Sequence, residues 1–227
     1  MKLKTWVLDL LFPPKCTFCA GIMERSGLML CPDCQRGLPW LQGAASEKRV
    51  EFVSRCVSPL RYQGSVRESI RRFKFTGRRW YARTYGVLLA QCVADNLAGE
   101  YDILSWVPVS GKRRRRRGYD QACLLALEMG KHLGLEPTEL LKKIRDNPAQ
   151  SGLRDAAERR ANVMGAYTVP WPERLEGRRV LLVDDVVTTG ETLSECARTL
   201  RMAGAESVVC VTLARTQQNI HNLAERC

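Results

Sequence analysis

Residues 180–193 read Val-Leu-Leu-Val-Asp-Asp-Val-Val-Thr-Thr-Gly-Glu-Thr-Leu, and no other stretch restricts the fold so tightly. Residues 180–183 are a short, β-branched-rich apolar run, which suits a central parallel strand covered on both faces. From Leu193 onward Cys196, Ala197 and Leu200 recur at helical spacing, and Gly204 stands where that helix would end. Between strand and helix lie two adjacent carboxylates, Asp184 and Asp185, and a Thr/Gly turn. At such a turn the first backbone N–H groups of the helix are free and its dipole is positive outward, so a phosphate monoester fits. Two acids at the carboxyl end of a strand suit vicinal hydroxyls or a hydrated divalent ion, and ribose 5-phosphate carries the hydroxyls and the phosphate together.

At these residues the chain resembles the type I phosphoribosyltransferase superfamily. The resemblance implies that Asp184 and Asp185 hold the ribose hydroxyls of phosphoribosyl pyrophosphate. Val183, Val187, Thr188, Thr189, Gly190, Glu191 and Thr192 would then complete the binding stretch. If the domain turns its ligand over, the two acids are also the candidate catalytic residues. The bland alternative is a core strand whose acids cap the next helix, as in receiver or phosphatase domains.

Near the N-terminus, Cys16-Thr-Phe-Cys19 and Cys31-Pro-Asp-Cys34 form two C-x-x-C pairs. Each pair turns two thiolates toward one point, and two pairs complete a tetrahedral sulfur site for a structural zinc. Disulfides, iron–sulfur ligation and plain core cysteines are the alternatives. The lead-in Met1-Lys2-Leu3-Lys4 before an apolar stretch has a weak likeness to a signal peptide, but Asp9 interrupts it and no small-x-small site follows. No run approaches the roughly 18 apolar residues of a membrane span.

Residues 37–51 mix Gly, Ala, Ser and charge and read as a linker. This divides the chain into a double C-x-x-C module, 1–45, and a main domain, 46–227. The main domain opens with cations interleaved with aromatics, among them Tyr62, Arg71, Arg72, Lys74 and Phe75. Cations beside aromatic rings suit single-stranded nucleic acid, and the formal net charge of +12 favours a polyanionic partner. The competing reading is a helix with core aromatics and solvated arginines.

Six consecutive cations, 112–117, follow a predicted strand at 103–109 and read as a mobile loop that an anion would settle. Ser110, Gly111, Lys112 and Arg117 are its candidate pyrophosphate contacts. Ala122, Leu125, Ala126, Met129 and Leu133 then predict a helix, which repeats the strand, loop, helix order of an α/β parallel sheet.

Five elements in this order resemble the ComF family: the cysteine module after Leu-Phe-Pro-Pro, Tyr62…Lys74-Phe75, Trp106-Val-Pro-Val with the 117–121 segment, Gln150…Arg159…Asn162, and 180–193. The resemblance implies a type I phosphoribosyltransferase-like parallel sheet flanked by helices, preceded by a zinc-ribbon-like module, in a cytoplasmic protein. It implies magnesium with phosphoribosyl pyrophosphate, a lid carrying Gln150, Arg159 and Asn162, and a role in competence or DNA utilisation with single-stranded DNA and other uptake proteins as partners. An active transferase of unknown acceptor and a zinc-ribbon interaction protein with a vestigial site are the alternatives. One departure stands out. The family usually has Arg-Gly-Phe-Asn-Gln where this chain has Arg117-Gly-Tyr-Asp120-Gln121, and a carboxylate facing an anion would weaken the site.

Overall fold

The computed structural model describes residues 13–23, 30–145 and 163–217. Its centre is a parallel sheet in which β6 (Arg179–Val187) pairs with β3 (Ile103–Trp106) on one side and β7 (Ser207–Arg215) on the other. Leu181 is in register with Leu104 and with Val209. Two short segments, β1 (Arg55–Val57) and β2 (Leu60–Arg61), pair in succession with β7 and form an interrupted edge. A separate small ribbon joins β4 (Lys142–Lys143) to β5 (Tyr167–Thr168) antiparallel.

Strand side chains alternate between faces, so the continuous apolar run feeds two cores. Leu181 and Val183 of β6, with Val209, Val211 and Leu213 of β7, enter one core. Val180, Leu182 and Val187, with Val208 and Cys210, enter the other. Helix α1 (Pro32–Gly37) belongs to the cysteine module; on the first face of the sheet lie α2 (Gly64–Phe75), α3 (Tyr81–Asn96) and α5 (Gln121–Leu133), which contribute Phe73, Tyr85, Leu89, Leu125 and Met129. On the second lies α6 (Glu191–Met202), whose Leu193, Cys196, Ala197 and Leu200 form the predicted apolar stripe.

The cysteine module does not stand apart. Cys16, Phe18, Met23, Cys34 and Leu38 belong to the first core. Phe18 packs on Tyr85 with ring centroids 5.7 Å apart, and the hydroxyls of Thr17 and Thr84 are bonded at 2.8 Å. Arg72 donates to the carbonyl of Phe18, so this candidate nucleic-acid cation serves as a clamp on the module. The stretch read as a linker holds a 3₁₀ turn at Gly43–Ser46, and Trp40 and Glu47 bridge to Leu60 and Val57. Its small residues let the chain follow the sheet edge closely instead of leaving it.

The arginine run also differs from expectation. It forms a helix, α4 (Gly111–Arg117), capped by the Ser110 hydroxyl accepting from the Arg113 N–H at 3.3 Å. Gly118 closes it with φ of 78°, a left-handed turn that a residue with Cβ resists. Capping at both ends and solvent around the guanidinium groups offset the mutual repulsion of the charges. The preceding strand is shorter than predicted and ends at Trp106, two residues before Pro108. Proline has no N–H for the ladder.

Candidate functional site

Asp184 and Asp185 lie toward the carboxyl end of β6, and alternation sends them to opposite faces of the sheet. Asp185 turns to the first face and is only 12% exposed; Lys74, at the end of α2, reaches it with Nζ 2.8 Å from Oδ1. Asp184 turns to the second face, toward Cys196 and Tyr167. Its carboxylate accepts from the Asp185 N–H at 2.8 Å. Burial, and then the neighbouring Asp185 charge, push its pKa well above the usual carboxylate range, while Lys74 opposes the shift.

The loop beyond brings the chain into α6 without a side-chain cap. Gly190 has φ of 96° and caps α6, leaving the first N–H groups of that twelve-residue helix without intrahelical partners. A Cβ at Gly190 would lie 3.0 Å from Val50, so the linker segment packs directly beneath the turn. From the same segment the buried Lys48 donates through Nζ to the Thr188 carbonyl. Burial, then the Arg215 charge, lower the pKa of Lys48. The Thr189 hydroxyl is buried and has no hydrogen-bond partner among the described residues. Asp184, Val186, Val187, Thr188, Gly190, Glu191, Thr192 and Leu193 line a cleft here. Val183 lies behind it in the core.

A second wall comes from residues 117–121. The Arg117 guanidinium stacks on Phe75 at 5.2 Å and donates to Gln121 Oε1 at 2.7 Å. Tyr119 donates its hydroxyl to the Phe73 carbonyl, which ties this segment to α2. Asp120 proves to be an architectural residue. One oxygen accepts from the Val109 N–H at 3.0 Å and the other from the Cys123 N–H at 3.2 Å, capping α5. An amide has one oxygen acceptor, so the carboxylate meets the two donors better than asparagine would. Burial raises its pKa and these bonds oppose the rise.

Of the candidate pyrophosphate contacts, Ser110 is buried as a helix cap, while Gly111 and Lys112 are exposed. Of the candidate nucleic-acid residues, Arg71 and Phe75 are exposed and Tyr62 packs against the core. Trp80 is 59% exposed beside Arg78, whose guanidinium lies 5.6 Å from the ring. Gln150, Arg159 and Asn162 lie outside the described residues. Sequence reasoning missed Lys48, because nothing in a Gly/Ala/Ser-rich stretch marks a cation for burial.

The four thiols of Cys16, Cys19, Cys31 and Cys34 lie within 4.8 Å of one another. The Cys19 and Cys31 sulfurs are 3.7 Å apart, too far for a disulfide and close to the roughly 3.8 Å that tetrahedral Zn–S bonds of ~2.3 Å require. Backbone N–H groups of Cys31, Gly21 and Cys34 point at the Cys16, Cys19 and Cys31 sulfurs, as around metal thiolates. The residues therefore fit a closed structural zinc site. No helix among the described residues is long and apolar enough to cross a membrane.

Comparison with known proteins accords with both halves. Residues 122–223 match the phosphoribosyl transferase domain, and residues 7–48 match the double zinc ribbon domain. The chain is thus a phosphoribosyltransferase-type α/β protein with a zinc ribbon at its N-terminal end. It is 30% identical to competence protein F of Haemophilus influenzae, covering 88% of this chain and 96% of that protein. It is 32% identical to the DNA utilization protein YhgH of Salmonella typhimurium, covering 88% and 90%. Among solved structures it is similar to the glutamine phosphoribosylpyrophosphate amidotransferase of B. subtilis, at 25% identity over 58% of this chain and 25% of that one, with a TM-score of 0.40. The chain belongs to the ComF family of competence and DNA utilization proteins.

Proposed function

We propose that this protein binds phosphoribosyl pyrophosphate, or a nucleotide of the same shape, at the carboxyl end of β6 and engages single-stranded DNA during DNA uptake or utilisation in the cytoplasm. The observation that carries the reading is the turn at 188–192. Gly190 in its left-handed turn and the head of α6, which has no side-chain cap, line one cleft with Asp184, and the neighbouring Thr189 hydroxyl is buried with no hydrogen-bond partner among the described residues. A 5-phosphate there would satisfy donors that the protein leaves open. The ribose hydroxyls would meet Asp184 and Asp185, and magnesium carried by the diphosphate would help neutralise the charge between ligand and acids.

For the strand, Trp80 presents an exposed ring beside Arg78, and the exposed Phe75, stacked by the Arg117 guanidinium, lies on the same basic segment as Arg71. Rings supply stacking without sequence preference and guanidinium groups follow the phosphates.

Thermal denaturation with increasing phosphoribosyl pyrophosphate and magnesium tests the site. At 100 times Kd the stabilisation is about 2.7 kcal/mol, or roughly 5–10 °C in Tm. Thr189→Val should remove most of it. No shift at millimolar ligand rejects the reading. Release of pyrophosphate in the presence of an acceptor panel would instead establish a transferase. For the strand, Trp80→Ala should weaken oligo-dT binding by ~1–3 kcal/mol, with affinity falling as salt rises.

A further inference from the structure

Lys48 stands where the fold calls for an apolar side chain. Residues 46–48 run antiparallel beside β1, with the Lys48 N–H donating to the Cys56 carbonyl at 2.9 Å and the Ser58 N–H to the Ser46 carbonyl at 3.0 Å. Extended backbone sends alternate side chains inward, so Ser46 and Lys48 are buried while Glu47 and Arg49 face solvent. Cys56 belongs to the second core, and Val50 and Val53 pack against it. Among these neighbours Lys48 is only 8% exposed. The charges that act on it are the Arg215 guanidinium of β7 and the Cys56 thiol of β1, neither of them a carboxylate. Glu47, beside it in the chain, is paired with Arg55 instead. The ammonium group donates to the Thr188 carbonyl, which also accepts from the Thr216 hydroxyl at 3.3 Å. A peptide group is planar and trans, so the N–H on its far side, that of Thr189, points away from Lys48. Two residues on, Val50 supports Gly190, and Arg215 ties the same segment to β7 through the Ala45 carbonyl. Residues 45–50 are thus a floor beneath the 188–192 turn, with an unneutralised cation set into it.

We propose that Lys48 is a positioning residue for this turn: it draws the Thr188 carbonyl down so that the Thr189 N–H faces the bound phosphate, and its buried charge makes the turn select a doubly charged phosphate monoester. The inference rests on the ligand reading above and adds to it a cation that acts through the backbone, without touching the ligand. With the peptide turned over, the Thr188 carbonyl would face the phosphate and repel it, and the bond to Lys48 favours the other orientation. A buried cation without a counter-charge is costly, and an anion bound on the far side of the peptide lowers that cost across a medium that screens poorly. A second charge on the anion increases the gain.

The test uses the full chain with its cysteine site saturated with zinc. Calorimetry at neutral pH measures binding of ribose 5-phosphate and of its methyl phosphodiester, whose phosphate carries a single charge; thermal denaturation without ligand measures stability. Lys48→Met should weaken ribose 5-phosphate on the order of tenfold, and the methyl ester by less, because part of the loss is charge. The unliganded variant should be no less stable than the wild type, since the side chains around position 48 are apolar and an unpaired buried charge has been removed. Lys48→Arg, which keeps the charge and a donor, should retain the preference for the monoester. A merely structural lysine would not combine weaker binding with undiminished stability. Undiminished affinity in Lys48→Met, or an equal loss for both esters together with lower stability, overturns the role of Lys48. Failure of the wild-type protein to bind ribose 5-phosphate overturns the functional reading instead, and is recognised before any variant is made.

Discussion

Helices α3 and α5 approach so closely at Gly86 that one added methyl group decides a sign. A Cβ at this position would lie 2.6 Å from the Glu128 Cβ, 2.8 Å from its carbonyl carbon and 2.9 Å from the Met129 nitrogen. Carbon contacts are comfortable at about 3.5–4.0 Å, so Gly86→Ala demands roughly 1 Å of separation between two helices. Two of the three obstructing atoms are backbone, and no side-chain rotation relieves them. Intrinsic helix propensity favours alanine by about 1 kcal/mol, whereas overpacking of this kind costs about 1–3 kcal/mol and a forced backbone shift lies at the upper end. The net expectation is a loss of about 1–2 kcal/mol, or roughly 2–8 °C in Tm for a domain of this size. Gly37→Ala is the control: its added Cβ meets nothing within 4 Å. Urea and thermal denaturation of the zinc-loaded protein measure the difference. A Gly86→Ala protein as stable as the wild type, or more stable, would show that the two helices do not meet at this distance.

The remaining predictions concern the ends of the fold. Because Cys16 and Phe18 lie in the first core with Tyr85 and Phe73, removing zinc with a chelator, or making Cys16→Ser, should lower the stability of the whole domain. Loss of zinc with no change in the unfolding of the sheet, followed by hydrogen exchange in β6 and β7, would show that the module folds independently. At the amino end of β6, away from the acid pair, Asp102 accepts from the backbone N–H, Nε and Nη2 of Arg179. These bonds hold its pKa down, at about 2 against an ordinary 3.8. A depressed carboxylate stabilises the fold above its unfolded pKa and loses that contribution as pH falls through the folded value. Asp102→Asn should therefore be less stable than the wild type at neutral pH, the gap closing between about pH 4 and pH 2. A gap that persists at the acid end would contradict the assignment.

The site was legible where it is local. Fourteen consecutive residues hold the strand, both acids, the turn and the start of the helix, because strand period, left-handed glycine and helical stripe each leave a mark within a few positions. What escaped depends on contacts distant along the chain. Lys74 bonds a residue more than a hundred positions away, and Lys48 bonds the Thr188 carbonyl 140 positions away. Nothing in the sequence beside either lysine distinguishes it from a solvated surface lysine. The arginine run was misjudged because the repulsion of like charges was weighed without the caps at Ser110 and Gly118. Asp120 was weighed as a ligand residue when two backbone donors already claim it.

The opposite orientation of Asp184 and Asp185 makes any ligand that uses both of them a bridge across the end of the sheet. One contact is set by the layer of α2, α3 and α5, the other by the layer of α6, and these layers share little besides the strands between them. Ligand affinity then becomes a gauge of how the two layers sit relative to each other. A repacking substitution deep in either one, such as at Leu125 or Leu200, would be felt in binding even where the thermal stability is unchanged.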